Sequence, residues 1–279
     1  MIQNSFDGNA SLYLIPTPIG NLEDITLRAI NMLKLVDYIL CEDTRVTSLL
    51  LKHLQISKRL VSCHEFNEDK IKNKILKDIL SGKNIGLVTD QGSPIISDPG
   101  YRVVKYLTDN NVNVVALPGA TAFVPAIMCS GINSNHFLFY GFLNNKHSKR
   151  ITELQLLKSN PYTLVFYESV HRINDTLNDI YEVFGNREVC LCRELSKVHE
   201  EIIRKPVGDL IRDSFTEKGE FVLIVQGNEE KSDFSNISVE EHVKMYLDDG
   251  LEEKEAIKAV AKDRRIRKSD IYKQYHINK

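Results

Sequence analysis

Two turns rich in glycine, proline, serine and aspartate are where this chain could do chemistry: DQGSPIISDPG (90–100) and PGAT (118–121). Glycine lets the main chain approach a ligand closely, and proline stiffens a loop while removing a donor. Turns of this kind present backbone N–H and C=O groups to a small polar molecule. The second runs on into a helix whose N-terminus can receive a carboxylate. Composition alone fits a stiff structural loop equally well; two such turns at neighbouring strand ends favour a ligand. None of the fourteen glycines falls into G-x-G-x-x-G or G-x-x-x-x-G-K-[ST], and no H-E-x-x-H occurs, so dinucleotide, P-loop and zincin readings lose their support. The five cysteines (Cys41, Cys63, Cys129, Cys190, Cys192) are odd in number, scattered and without C-x-x-C spacing. They read as small core residues, not as a disulfide framework or a metal knuckle, and no metal site is expected.

The elements that must hold these turns alternate in type. LYLIPT (12–17), DYILC (37–41), RLVSC (59–63), NIGLVT (84–89) and VNVVAL (112–117) read as strands, with helices expected over 24–35, 44–54 (capped by Asp43 or Thr44) and 69–80. Strand–helix alternation predicts a parallel-dominated sheet covered on both faces, in which ligands bind beyond the C-terminal strand ends. From 136 onward five strand candidates (136–143, 163–169, 188–195, 200–207, 220–227) follow with fewer crossovers, so a mixed sheet is expected. The fold class is thus α/β, with a domain at 1–132, a second α+β domain at 133–229 and a tail of three short helices at 237–279.

At 279 residues, 42% hydrophobic and 27% charged, the chain has an ordinary globular composition with room for two domains. It shows no uninterrupted apolar run long enough to span a membrane and no secretory pattern at its start, so a soluble, cytoplasmic protein is expected. Its net charge of −2 hides an asymmetry: residues 254–279 hold nine Lys/Arg against three acids. A basic terminus of +6 on an acidic body suggests a polyanionic partner; the plainer alternative is a solvated helix face.

Nine blocks occur in order: PTPIGNLEDITLRA (16–29), CEDTR (41–45), HEFNE (64–68), DQGSPIISDPGYR (90–102), LPGATA (117–122), FYGFL (139–143), TLVFYESVHR (163–172), CRELSKVHEE (192–201) and GEFVLIVQG (219–227). Together they resemble the ribosomal RNA methyltransferases of the tetrapyrrole methylase superfamily. The basic tail is similar, more weakly, to a helix-turn-helix piece that some members append. The resemblance implies a two-domain tetrapyrrole-methylase-like fold with S-adenosylmethionine held in the cleft. It also implies 2′-O-methylation of a cytidine ribose in the decoding region of 16S rRNA, a 30S subunit as partner, and a homodimer. The family's first loop usually has alanine where Gln91 stands here; a side chain pointing outward is expected.

Carried over by position, the cofactor residues are Pro16, Asp90, Gly92, Ser93, Pro94, Ile95, Pro118, Gly119, Thr121, Ala122, Phe166, Tyr167 and Glu168. A ribose hydroxyl is a poor nucleophile near neutral pH, so a proton acceptor would help. Candidates are Glu42, Asp43, His64, Glu65, Glu168, His171 and Glu194. Arg45, Arg172, Arg193 and Lys197 on the body, with Arg264, Arg265, Arg267 and Lys268 on the tail, could grip phosphates. For each, a salt bridge that only holds the cleft is an equal reading. Two rival classes stay open: a small-molecule methyltransferase acting on a tetrapyrrole precursor, and a non-catalytic nucleic-acid-binding protein.

Overall fold

The computed structural model describes residues 2–5, 7–213, 215–228, 234 and 237–277. The chain forms two compact units, Met1–Gly227 and Asn228–Lys279. In the first, strands β1 (Leu12–Leu14), β2 (Tyr38–Cys41), β3 (Arg59–Ser62), β4 (Ile85–Leu87) and β5 (Val114–Ala116) alternate with helices α1 (Leu27–Leu35), α2 (Thr44–His53), α3 (Glu68–Leu80) and α4 (Tyr101–Asp109). The strands form one parallel sheet in the order β3-β2-β4-β1-β5. Alternate side chains point to opposite faces. Leu12, Leu40, Ile85 and Leu87 pack on α3 and α4, while Ile39, Cys41 and Val115 pack on α1 and α2. The helix expected from Asp24 begins only at Leu27. The Asn21 side chain caps a 3₁₀ turn at Leu22–Asp24, and the Thr26 side chain then accepts from the Ala29 N–H to start α1.

A second sheet, β6 (Phe137–Phe142), β7 (Thr163–Ser169), β10 (Glu220–Val225), β8 (Glu188–Arg193) and β9 (Glu201–Pro206), lies in that order. It is mixed: β6 and β7 run parallel and the other pairs antiparallel. One face carries Leu164, Phe166, Leu191 and Leu223 under α6 (His147–Leu157), α7 (Ile173–Phe184) and α8 (Val207–Arg212). The other carries Val165, Cys190, Cys192, Val222 and Ile224 and is covered by α5 (Phe123–Ser130) through Ala126 and Ile127. Sequence order groups α5 with the first sheet, but its buried side chains pack on the second. Both sheets therefore share one unit, joined by the element that follows the PGAT turn.

The second unit is a three-helix piece, α9 (Val239–Asp248), α10 (Glu253–Arg264) and α11 (Lys268–Ile277), over a core of Val243, Ile257, Val260 and Ile271. Ser238 and Glu241 form a reciprocal capping box at its start. Arg264 reaches back across this end. Its guanidinium donates to His242 Nδ1 (3.1 Å), the Ile237 carbonyl (2.7 Å) and the Ser238 carbonyl (2.9 Å). Arg264, predicted as a phosphate contact, thus has its donors committed inside the tail, whereas Arg265, Arg267 and Lys268 are exposed. Arg264→Ala should destabilise the tail by about 1–2 kcal/mol, since it orphans the buried His242 Nδ1 and removes two more exposed bonds. Arg265→Ala should stay within about 0.5 kcal/mol. Hydrogen exchange over residues 238–277 would show the difference; equal protection in both variants would refute it.

Candidate functional site

Parallel, in-register strands put every C-terminal strand end of the first sheet on one edge. Leu14, Leu87 and Ala116 are aligned partners, as are Cys41 and Ser62. The blocks beginning at Pro16, Glu42, His64, Asp90 and Pro118, far apart in sequence, are brought together by that alignment alone. The loops are then stitched to one another. Thr17 and Gly92 exchange two backbone hydrogen bonds (2.9 and 3.1 Å), the Thr17 hydroxyl donates to the Thr89 carbonyl (3.1 Å), and the Ser93 hydroxyl donates to the Ala120 carbonyl (3.0 Å). Gly92 sits at φ +83, and a Cβ on Gly119 would lie 2.5 Å from that of Pro16, so both glycines are required for these backbone approaches.

The far end of the 90–100 loop is anchored by Glu68, a carboxylate only 3% exposed. Its oxygens accept the N–H groups of Gly100 (3.1 Å), Arg102 (2.9 Å) and Val103 (3.3 Å), the otherwise unpaired donors at the start of α4. Between its two anchors the loop bends through Ile95 (φ +78) and Ser97 (φ +67), conformations that are strained for non-glycine residues.

A cavity of about 450 Å³ opens between these loops and the second sheet. From the first sheet it takes Ile19, Asp90–Ser93, Ile96–Asp98, Thr121 and Ala122. From the second it takes Phe142, Tyr167–Ser169, Cys192, Leu195 and Glu220–Val222. The Tyr167 hydroxyl hydrogen-bonds Thr121 and the backbone of Ala122 and Phe123, which ties β7 to the PGATA loop. Gln91 neither enters the cavity floor nor points wholly away. With its amide oriented to satisfy its neighbours, it crosses the rim to donate to the Ile19 carbonyl (3.1 Å) and to Glu220 Oε2 (3.1 Å).

Asp90, Gly92, Ser93, Thr121, Ala122, Tyr167 and Glu168 therefore stand on the cavity wall. Pro16, Pro94, Ile95, Pro118 and Gly119 shape the loops behind it. Phe166 is fully buried on the opposite, helix-covered face of the second sheet. Among the proton-acceptor candidates, Glu168 has both oxygens engaged: Oε1 by Arg172 (2.7 Å) and the Ser169 N–H (2.7 Å), Oε2 by the Thr176 hydroxyl (2.7 Å). Asp43 caps α2 and grips Arg45 at 2.6 Å, which holds its carboxyl down at about 2. His171 is exposed and off the wall; His64 is off the wall too, near Glu42. Arg172 is spent on Glu168, Arg193 on Glu201 (3.0 Å), and Lys197 on Glu194 and Glu220 (both 2.9 Å). Arg45 remains a largely exposed cation beside the site.

Sequence reasoning passed over Asp98. It lies inside the DQGSPIISDPG motif, but the Pro-Gly that follows reads as a structural turn. In the fold it is a wall residue whose carboxyl is pushed up to about 6. Burial is the main cause, the charges of Glu42 and Asp90 add to it, and a hydrogen bond from Thr89 opposes it. Burial raises Glu42 and Asp90 as well, followed by the charge of Asp90 on Glu42. Three carboxylates thus converge around Thr89, whose hydroxyl lies 3.5 Å from Glu42 Oε2.

The profile of the Tetrapyrrole (Corrin/Porphyrin) Methylases family matches residues 11–211, and the chain belongs to that family. Proteins called ribosomal RNA small subunit methyltransferase I are similar to it over nearly their full length. The one from Bacillus subtilis is 45% identical, covering 99% of this chain and 98% of its own. The one from Halalkalibacterium halodurans is 44% identical, covering 97% and 96%. Among solved structures, uroporphyrin-III-C-methyltransferase from Thermus thermophilus shares the fold at a TM-score of 0.57 and 18% identity, covering 78% of this chain and 94% of that one.

The chain is a methyltransferase whose methyl donor is S-adenosylmethionine. The cavity fits that group. Its volume is within the usual range for small-ligand sites, its floor is backbone brought close by Gly92, and its anionic wall at Asp90 and Asp98 suits a sulfonium and an ammonium.

The raised Asp98 carboxyl has a consequence for stability. Its folded value of about 6 lies above its ordinary value of 3.8, so its contribution is complete below pH 4 and is lost as pH rises through 6. Because Asp98 is only half-buried and partly screened by solvent, ionisation costs the fold on the order of 1–2 kcal/mol. Asp98→Asn should therefore raise the thermal midpoint by several degrees at pH 7.5, with the gain vanishing near pH 4. Melting curves at both pH values decide it; a variant less stable at pH 7.5 would contradict the assignment.

Proposed function

We propose that this chain transfers the methyl group of S-adenosylmethionine to the ribose 2′-hydroxyl of a cytidine in the decoding region of 16S rRNA. The observation that carries the reading is the 44–45% identity to the rRNA small subunit methyltransferase I relatives over 97–99% of the chain, tail included. Likeness to the tetrapyrrole enzyme, by contrast, is one of fold at 18% identity. Asp90, Gly92, Ser93, Thr121, Ala122 and Tyr167 would hold the donor. When bound, the donor supplies an activated methyl on a sulfonium with a good leaving group. The chain's own residues align the hydroxyl, exclude water and accept its proton. The assembled 30S particle is the substrate in this reading, since it offers a preformed RNA shape, and the enzyme works in the cytoplasm as a homodimer. No helix of the described residues is long and apolar enough to cross a membrane.

Incubation of the full chain with methyl-labelled donor and unmethylated 30S subunits should label one cytidine, and alkaline hydrolysis should leave the adjacent phosphodiester intact because its 2′-oxygen is blocked. Label on a base, or on uroporphyrinogen in place of the subunits, would defeat the reading. Naked 16S RNA should be the poorer substrate.

The tail supplies RNA affinity in this reading. Replacing exposed Arg265, Arg267 and Lys268 by glutamine should flatten the dependence of log K on log salt by roughly 0.7–0.9 for each phosphate that is no longer neutralised, leaving donor affinity unchanged. Subunit-binding titrations at three salt concentrations test this. An unaltered slope would leave the tail without an RNA role.

A further inference from the structure

We propose that the segment 144–150, which follows β6, is a docking surface for the phosphate backbone of the substrate RNA, with Lys146 and Lys149 as its phosphate contacts. This rests on the reading above, in that the partner is taken to be RNA.

The segment leaves the cavity directly. Phe142, the last residue of β6, is exposed and stands on the wall. Residues 144–150 then read NNKHSKR, with four basic side chains and no acid. Two of the four are committed inward. Arg150 is 2% exposed, and its Nε donates to Asp179 Oδ2 at 2.5 Å. His147 turns Nδ1 toward Asp179 Oδ1 at 3.1 Å. Lys146 and Lys149 are exposed, and among the described residues neither has an ion pair.

The segment is braced. The Asn144 side chain accepts the Lys146 N–H (3.1 Å), and Glu153 Oε2 accepts the Asn144 N–H (2.8 Å). Arg150 Nη1 reaches the carbonyls of Asn144 (3.4 Å) and Asn145 (3.5 Å). Just before it, Arg172 Nη1 donates to the Leu143 carbonyl (3.2 Å), while Nη2 of the same arginine pairs with Glu168 of the cavity wall (2.7 Å). The two lysines therefore have a fixed place relative to the cavity.

Charge is sorted by depth in this corner. Asp179 and Glu168 are buried, Glu153 is half-buried and holds the Asn144 N–H, and the two ammonium groups face solvent. Asp175, exposed in the first turn of α7, pairs with neither lysine. Two like charges three residues apart on a helical turn repel, so the pair does not stabilise the fold. A polyanion would relieve that repulsion. Position points to which one. A ribose whose 2′-hydroxyl enters the cavity carries a phosphate on either side, so the strand must pass over the rim. Cations there neutralise the flanking phosphates and set the register of the strand without reading its sequence.

The test uses the full chain with S-adenosylmethionine and 30S subunits. Replacing Lys146 and Lys149 together by glutamine should raise KM for subunits about tenfold and flatten the slope of log K against log salt by roughly 0.7–0.9 per lysine. Calorimetric affinity for S-adenosylmethionine should be unchanged, because neither lysine is on the cavity wall. Arginine at both positions should keep the wild-type slope. A control replaces Lys34 and Lys77 by glutamine. These exposed lysines end α1 and α3, helices that run back to the opposite edge of the first sheet, so their loss should alter neither KM nor slope. An unchanged KM and slope in the Lys146/Lys149 variant, or an equal loss in the control, overturns the surface while the methyltransferase reading stands. A defect seen with 30S subunits but absent with protein-free 16S RNA would give the segment to a protein of the subunit and overturn it too. The expected slopes in an enzyme that methylates no ribose would support the surface and overturn the reading.

Discussion

The site depends on a buried carboxylate bonded to backbone. Glu68 opens α3 and spends its negative charge on the N–H groups that begin α4. A helix N-terminus carries unpaired donors and partial positive charge, so an anion placed there is satisfied without a cationic partner. The contact fixes where α4 starts relative to α3 and hence where the 90–100 loop must end. Its other end is fixed by the paired hydrogen bonds of Thr17 and Gly92. A loop pinned at both ends can hold Ile95 and Ser97 at positive φ, because relaxing them would break one anchor or the other. The block HEFNE is thus a brace for the 90–100 loop, and Glu68 explains its last residue.

Much of this was legible from residue types. Alternation of strand and helix gave the parallel sheet, and its strand-end turns mark the cavity's first wall. The mixed second sheet followed from five strand-like runs with few crossovers. What stayed hidden depends on packing between elements. The eight residues of α5 follow a first-sheet strand and read as part of it, yet Ala126 and Ile127 are apolar on the side that meets Val165 and Val222. Periodicity cannot say which of two sheets an apolar stripe will meet. Phe166 and Tyr167 are adjacent in one motif, and the two-residue period of a strand sends them to opposite faces. Residue types alone do not say which of the two will face the cavity; the fold puts Tyr167 there and Phe166 in the core.

Charged residues were the least legible class. An arginine that grips a phosphate and one that buttresses a turn have the same letter, and only geometry separates them. Arg172, Arg193 and Lys197 neutralise carboxylates around the second sheet, and Arg264 holds the tail's first turn through three acceptors. Their neighbours Arg265, Arg267 and Lys268 differ only in lying past the end of α10, where Arg265 adopts a left-handed conformation that closes the helix. One residue's displacement along the chain decides between an interior brace and a solvent-facing cation.

Carboxylates show the same divergence in sharper form. In the first unit Glu68 and Glu168 are buried and Asp98 is half-buried. Glu68 is satisfied by backbone N–H groups and Glu168 by an arginine and two further donors, so burial leaves neither anion unpaired. Asp98 receives burial and two neighbouring negative charges, against one hydroxyl. A fold selected for stability alone would place a cation or an amide there, since even a half-buried charge costs stability when it is unpaired. The penalty persists in a loop that two separate anchors force into position, on the wall of the cavity between the two sheets. A cost that two anchors maintain at one atom marks a carboxylate held open toward the cavity, not one placed for the stability of the fold.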